Sequence, residues 1–211
     1  MSDSSPPKDG ENTLQQVADA FGQTLDPLGT FEERFMALEV DPFTPYIESV
    51  LNSKNLAPAT HRNYLSVFAE WTDHMEDEGR HPACPSDEHV ISYIDWQLAP
   101  EEEGGADNSP RTVKAKLTKL NLAYKYWQDS AAFPHPQDYN PFTLAKTQKE
   151  RALSNPDSKE HRRIPVDELQ EMMASVTNLR QRAIIGFQFK LGLRAGEISN
   201  IRLDDISLEN A

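Results

Sequence analysis

The sequence predicts a mainly helical protein. Apolar residues recur three or four positions apart through most of the chain, which is the spacing of one face of an α-helix. Thr44-Pro45 and Ser109-Pro110 are typical of places where a helix begins, and Gly192 of a place where one ends. No apolar run approaches the roughly 20 residues that cross a membrane. The polar N-terminus also lacks the apolar core of a signal peptide, so we expect a soluble cytoplasmic protein without a membrane partner.

Residues 1–42 form an acidic N-terminal region. Residues 1–11 are rich in serine, proline and charge, which predicts a mobile tail. Between Leu14 and Met36 the helical spacing is interrupted near Pro27, and this pattern predicts two short helices.

Four helical segments are predicted between residues 43 and 145. They are expected from about Pro45 to Ser53 with Thr44 as the N-cap, from Pro58 to Glu78, from Ser86, and from Ser109 to about Ala131. The inner face of the second segment is expected to contain Tyr64, Leu65, Phe68, Trp71 and Met75. The apolar stripe of the third is expected to contain Val90, Ile91, Ile94 and Leu98.

The fourth segment separates apolar residues from cations. At about 100° per residue, one narrow sector contains Val113, Leu117, Leu120, Tyr124 and Trp127. Arg111, Lys114 and Lys125 fall on the opposite side, with Lys119 toward one flank. One face can therefore be buried while the other presents cations.

Charge is distributed unevenly along the chain. The 21 Lys and Arg residues against 34 Asp and Glu residues give a net charge of −13, which taken alone argues against a nucleic-acid partner. Residues 1–110 carry a net −17, residues 111–163 a net +6 and residues 164–211 a net −2. A basic block within an acidic protein is typical of a phosphate-binding surface, and equally of a solvated helix face.

The rest of the chain predicts a linker and a second helical region. Residues 146–163 are basic and lack apolar periodicity, which is typical of a linker. Helices are expected from Pro165, from Leu179 to Leu191 and from Ala195 to Ile201, and the alternation in residues 203–208 predicts the start of a strand.

The motifs of several enzyme classes are absent. His74, His81, Cys84 and His89 do not have the spacing of a structural zinc site, and a single cysteine allows no internal disulfide. No phosphate-binding glycine loop and no GxSxG nucleophile motif occurs. We expect no metal, no cofactor and no small-molecule substrate.

Arg194 stands at the junction of two predicted helices, just after the helix-breaking Gly192. A planar guanidinium placed there can direct its donors at a phosphate, and Glu197, one turn later, can brace it or cap the helix start. A motif this short is more often an exposed surface arginine than a functional one.

Several segments together resemble one protein family. LGLRAGEISNIRLDDISLEN, RRIPVDELQEMM, LAPATHRNYLSVFAEWTDHMEDEG, NSPRTVKAKLTKLNLAYKYWQD and YNPF resemble parts of the tyrosine site-specific recombinases, the phage-integrase and Xer family, in that family's order. The resemblance spans about residues 43–211. The acidic composition also resembles that of the halophilic archaeal members.

The resemblance implies a fold and a chemistry. It implies a SAM-like core-binding bundle over residues 43–145, then the helical N-terminal part of an α+β catalytic domain, truncated, over residues 164–211. In the family a tyrosine attacks a DNA phosphodiester without metal, and DNA is integrated or recombined. Arg194 matches the first catalytic arginine and Glu197 the acidic residue that supports it.

The resemblance also implies a His-x-x-Arg motif and a nucleophilic tyrosine after the first catalytic arginine, and neither has a match in this sequence. No histidine is followed by arginine three positions later, and no tyrosine follows Arg194. We therefore expect a chain that binds double-stranded DNA, with homo-oligomers on DNA as the family implies, and that does not cleave DNA alone. The expected DNA-binding residues are Arg111, Lys114, Lys119, Lys125, Lys146, Lys149, Arg151, Arg162 and Arg163.

Two other functional classes stay open. A helical protein-interaction module would use Trp71, Trp96 and Trp127 as anchors, although these residues fall on predicted core faces. A helix-turn-helix regulator would share DNA binding but would have no use for Arg194.

Overall fold

The computed structural model describes residues 9–38, 40–154 and 164–202, and the regular elements within these ranges are all helical. The predicted mainly helical class is confirmed for this part of the chain. The chain divides into two compact units, Met1–Asp157 and Ser158–Ala211. The predicted strand at residues 203–208 lies outside the described residues.

The first unit is built from eight α-helices in its described part. They are α1 (Asp9–Ala20), α2 (Glu32–Met36), α3 (Thr44–Tyr46), α4 (Pro58–Asp77), α5 (Asp87–Leu98), α6 (Pro110–Asp129), α7 (Pro141–Gln148) and α8 (Glu150–Leu153). A π-helical turn, Ile47–Leu51, continues α3, and single 3-10 turns occur at Gly29–Phe31 and Glu101–Glu103. The core of the unit lies around α6, which packs against α4, α5, α7 and α8.

The helix α4 follows the sequence prediction with one change on its inner face. It begins at Pro58, whose fixed φ suits the first helical position, and it ends before Gly79, which adopts a φ of +70°. Phe68, Trp71 and Met75 are buried as expected, and so is Val67. Leu65 is instead 38% exposed because it lies over a groove rather than over the core.

The helix α5 begins as predicted at Ser86. The Ser86 hydroxyl accepts a hydrogen bond from the His89 N–H, and the Ser86 N–H donates to His89 Nδ1. On its inner face Ile91 and Leu98 are only partly buried, whereas Gln97 is fully buried. A polar residue at a core position can only be recognised when its partners are known.

The helix α6 matches its predicted apolar face. Ser109 caps it by accepting from the Thr112 N–H, and Pro110 occupies the first turn. All five residues of the predicted stripe, and Ala123 beside them, are buried. Trp127 is fixed further because its indole N–H donates to Pro42 O at 2.9 Å.

The start of α3 corrects one sequence prediction. Thr44 lies inside the helix instead of capping it. The carboxylate of Asp41 accepts from the Phe43 N–H at 3.0 Å and from the Thr44 hydroxyl at 2.9 Å. Asp41 therefore satisfies the donors at this helix start, because its two oxygens reach both groups at once.

The predicted linker, residues 146–163, begins later than expected. Residues 141–153 form α7 and α8, and α7 is capped by Asn140, which accepts from the Thr143 N–H. Phe142, Ala145 and Leu153 are buried against the core. Phe142 and Ala145 precede the predicted linker, and mostly polar residues separate Ala145 from Leu153, so residues 146–153 show no apolar periodicity although Leu153 meets the core.

The second unit contains three described helices, α9 (Val166–Ser175), α10 (Leu179–Leu191) and α11 (Ala195–Ser199). The helix α10 ends at Gly192 as the sequence predicted, and Gly192 adopts the left-handed conformation with a φ of +67°. No residue between 164 and 202 is fully buried, and Leu191 is 62% exposed. These helices alone do not enclose a core within the described residues.

Candidate nucleic-acid interface

A row of polar and cationic side chains runs along the outer face of α6. Lys114, Thr118, Asn121 and Lys125 follow one another at intervals of four, three and four residues, which places them on one side of the helix. Lys114 and Lys125 are exposed, as is Arg111 one turn before the row. The burial of the opposite stripe explains this exposure, because α6 can turn only one face to the core.

The helix α7 supplies the second wall of a groove beside this row. Lys125 of α6 and Lys146 of α7 both line this cavity of about 490 Å³. Polar side chains from both helices also line it, namely Thr118, Asn121, Thr143 and Thr147. Glu150 contributes one carboxylate to its lining. Two predicted DNA-binding residues from separate parts of the sequence are thus brought to one groove.

The local field of this region is unlike that of the rest of the protein. The chain has 34 acidic residues in 211, about one in six, so that a window of 21 would hold about three. Residues 108–128, which include all but one residue of α6, contain none, and neither do residues 139–149 around α7. The cations here are therefore little offset by carboxylates of their own elements.

Lys119 lies on the flank of α6 that faces α4. Its ammonium is 5.7 Å from the centroid of the Tyr64 ring, within reach of a cation–π interaction. Burial lowers the pKa of Lys119, and the nearby charge of Lys116 lowers it further. Lys119 is half-buried and so is a less accessible cation than Lys114 or Lys125.

The other predicted DNA-binding residues are placed differently. Lys149 forms an ion pair with Asp95, with Nζ 2.7 Å from Oδ2, which offsets its charge. Arg151 is exposed on α8. Arg162 and Arg163 lie outside the described residues.

Lys116 is a cation of α6 that does not reach the outer face. Its ammonium lies 2.7 Å from Glu70 Oε2 and 2.9 Å from Gln97 Oε1. Tyr93 and Gln97 also donate to Glu70, so one carboxylate joins α4, α5 and α6. This cluster was not predicted from the sequence. The position of Lys116 between the apolar and cationic sectors of α6 was the one local indication that its side chain turns inward.

Arg194 and Glu197 are brought together at the start of α11. Glu197 Oε2 accepts from the Arg194 N–H at 2.6 Å, and Glu197 Oε1 lies 3.5 Å from the guanidinium. The side chain of Arg194 is 88% exposed. Glu197 therefore both caps the helix and braces the arginine, while the guanidinium keeps free donors on its outer side.

The histidines near Cys84 make hydrogen bonds within the first unit. His81 Nδ1 accepts from the Ala83 N–H, His89 Nδ1 pairs with Ser86, and His135 Nε2–H donates to Ala83 O at 2.7 Å. Cys84 is fully buried, and burial raises the pKa of its thiol. In the described ranges no three His, Cys, Asp or Glu side chains come together as possible metal ligands.

Two of the three tryptophans are unable to act as partner anchors. Trp71 and Trp127 are 0% and 1% exposed, and each indole N–H donates to a backbone carbonyl. Trp96 is partly exposed, with its N–H donating to Gly104 O. Of the three tryptophans that the protein-interaction hypothesis would use as anchors, only Trp96 is accessible to a partner.

Comparison of the chain with protein-family models, with curated proteins and with solved structures finds no significant match. Among the described residues no helix is long and apolar enough to span a membrane.

Proposed function

We propose that this protein binds double-stranded DNA through the outer face of α6 and the adjoining groove with α7, as a core-binding domain of the tyrosine recombinase type does. The observation that carries the proposal is that Lys125 and Lys146 line the same groove. Each lies in a segment without aspartate or glutamate, although the net charge of the whole protein is −13. Cations concentrated on one face attract a polyanion locally even when the whole protein repels it.

The side chains of this surface suit contacts with both backbone and bases. Lys114, Lys125 and Lys146 are flexible point charges that suit phosphates. Asn121 in the same row carries an amide that can donate and accept, which suits the edge of a base. We therefore assign affinity mainly to the lysines and any sequence preference mainly to the amide.

We propose that Arg194 provides a further phosphate contact. Arg194 is braced by Glu197, and its side chain is 88% exposed, so its guanidinium is accessible to a phosphate.

A fluorescence-anisotropy titration with a labelled duplex of about 30 base pairs tests the proposal. Binding should weaken steeply with salt, because phosphate contacts release counterions. The slope of log K against log salt is negative, and the double variant Lys125→Ala/Lys146→Ala should reduce its magnitude by about 2. Each lost phosphate contact reduces the magnitude by about 1. Lys149→Ala should have a smaller effect because Asp95 already offsets its charge.

A double variant with the same charge change provides the control. Arg34→Ala/Lys190→Ala removes two exposed cations from α2 and α10. This protein should keep the full salt slope. Binding that is absent at low salt, that is insensitive to salt, or that falls equally in both double variants would refute the proposed surface.

A further inference from the structure

A long apolar groove runs beside α4, separate from the α6–α7 surface. Leu65, Ala69, Thr72 and Glu76 form one of its walls, at helical intervals that put them on one ridge. From Leu65 to Glu76 the ridge covers 11 residue steps and is therefore about 16 Å long at 1.5 Å per residue. The groove has a volume of about 680 Å³.

The groove is apolar inside and open to solvent. Its floor contains Phe43 and Phe68, which are almost completely buried. The lining also includes Met36, which is 64% exposed, and the partly buried Ile47. Exposed apolar side chains that line one concave groove are typical of a surface that binds a partner.

The rim of this groove is negatively charged. Asp41, Asp73 and Glu76 line it and are exposed. Arg80 also lines the groove, but its charge is offset by two ion pairs. Nη2 lies 2.7 Å from Asp26 Oδ2, and Nε lies 3.1 Å from Glu32 Oε2. The rim therefore presents carboxylates with little compensation to an incoming molecule.

Two acidic residues of the rim lie near the C-terminal end of α4, where negative charge destabilises a helix. Asp73 and Glu76 belong to the last two turns of α4, where the helix dipole disfavours negative charge. Asp77 adds a third carboxylate to the same end. Their position is unfavourable for α4 in isolation and is favourable for attracting a cationic partner.

We propose that the groove beside α4 binds a cationic amphipathic helix of a partner protein. A straight ridge of about three turns on α4 suits a helix packed alongside it, with apolar anchors at i, i+3 or i+4, and i+7. The anchors would enter between Leu65 and Met36, and Lys or Arg residues of the partner would face Asp73 and Glu76. This site does not depend on the DNA-binding surface of α6.

Three synthetic peptides of about 16 residues test this proposal with the full chain. The first has leucines at the helical spacing and lysines elsewhere, the second replaces its lysines by glutamates, and the third replaces its leucines by serines. Fluorescence anisotropy should show saturable binding of the first peptide, and at least tenfold weaker binding of the other two, because both charge and apolar contact are required.

Two matched variants locate the binding. Asp73→Lys/Glu76→Lys should weaken binding of the first peptide, with leucines and lysines, at least tenfold. Glu101→Lys/Glu102→Lys makes the same charge change in an exposed turn and should alter the affinity less than twofold. Far-UV circular dichroism establishes that both variants fold. No saturable binding, equal weakening by both variants, or equal binding of the serine peptide would overturn the proposal.

Discussion

Lys116 on α6 and Glu70 on α4 form an ion pair of 2.7 Å whose side chains are 15% and 29% exposed. Gln97 of α5 accepts from the same ammonium and donates to the same carboxylate. One lysine of the basic helix thus holds three helices together, while its neighbours Lys114 and Lys125 stay exposed. The ion pair supports the surface proposed for DNA, because together with the buried apolar stripe it helps to fix how α6 is rotated.

Removing the cation of this pair should destabilise the first unit. Lys116→Met leaves the partly buried Glu70 carboxylate without its charged partner, and we expect a loss of about 2 kcal/mol in the free energy of unfolding. Urea unfolding followed by tryptophan fluorescence measures it. Lys114→Met, at an exposed position of the same helix, should change stability by less than about 0.5 kcal/mol. Equal midpoints for the two variants would contradict this role of Lys116.

Arg80 should anchor the N-terminal segment of the unit. Its guanidinium contacts Asp26 and Glu32, and its Nε also donates to Cys84 O at 2.6 Å. Arg80→Met should lower the unfolding free energy by about 2 kcal/mol, since this mostly buried side chain donates charge-assisted hydrogen bonds to Asp26 and Cys84 O and lies within ion-pair distance of Glu32. Limited proteolysis should then cut within residues 21–42 faster than in the wild type, whereas Lys54→Met, at an exposed position outside this segment, should leave the rate unchanged.

Stability should fall in mild acid, in part through His135. Burial lowers the pKa of this histidine from 6.5 to about 4, although its hydrogen bond to Ala83 O opposes the shift. As the pH falls below 6.5 the unfolded chain takes up a proton that the folded chain does not, so this part of the stability is present above 6.5 and is lost toward pH 4. Between pH 7.5 and 5.5 the loss should be about 1 kcal/mol.

The variant His135→Gln separates this contribution from those of other groups. It keeps a donor near Ala83 O but does not titrate in this range. The difference in unfolding free energy between pH 7.5 and 5.5 should be about 1 kcal/mol smaller than in the wild type. The remaining dependence should reflect His74, His81 and His89, whose pKa values burial also lowers. An unchanged difference would mean that His135 is not the group responsible.

Cys84 should report unfolding of the first unit. Its thiol is fully buried and its pKa is raised, so little reactive thiolate is present or accessible in the folded protein. A disulfide reagent at pH 8 should label less than about a tenth of the protein within minutes in buffer, and one equivalent in denaturant. Rapid labelling of the native protein would show that the core around Cys84 opens more readily than its burial indicates.

The two units should differ in resistance to protease. No residue between 164 and 202 is fully buried, whereas the first unit has a large aromatic core. Dilute trypsin should therefore cleave within residues 164–202 first and leave a fragment containing residues 43–145. Mass spectrometry identifies the cuts. A stable fragment that retains residues 164–202 but is cut within α4 or α6 would reverse the expected order.

Local patterns in the sequence were sufficient for most helix positions. The Ser86 and Ser109 caps, the inner stripe of α6 and the helix end at Gly192 were each predicted from neighbouring residues, and each is found in the structure. Such features depend on hydrogen bonds and side-chain spacing within a few residues, which the sequence displays directly. The cap at Thr44 was wrong because Thr44 is already the first helical residue, and its hydroxyl donates to the Asp41 carboxylate instead of accepting from an N–H of the first turn.

The sequence by itself determined the helical class, the two-faced character of α6 and the local excess of positive charge. Only the tertiary structure decided that Lys125 and Lys146 share a groove, that Lys116 turns inward to Glu70, and that α7 and α8 belong to the core. The physical reason is the range of the interactions. Periodicity and capping act between near neighbours, whereas burial and ion pairing depend on residues that are distant in sequence and become neighbours only when the helices pack.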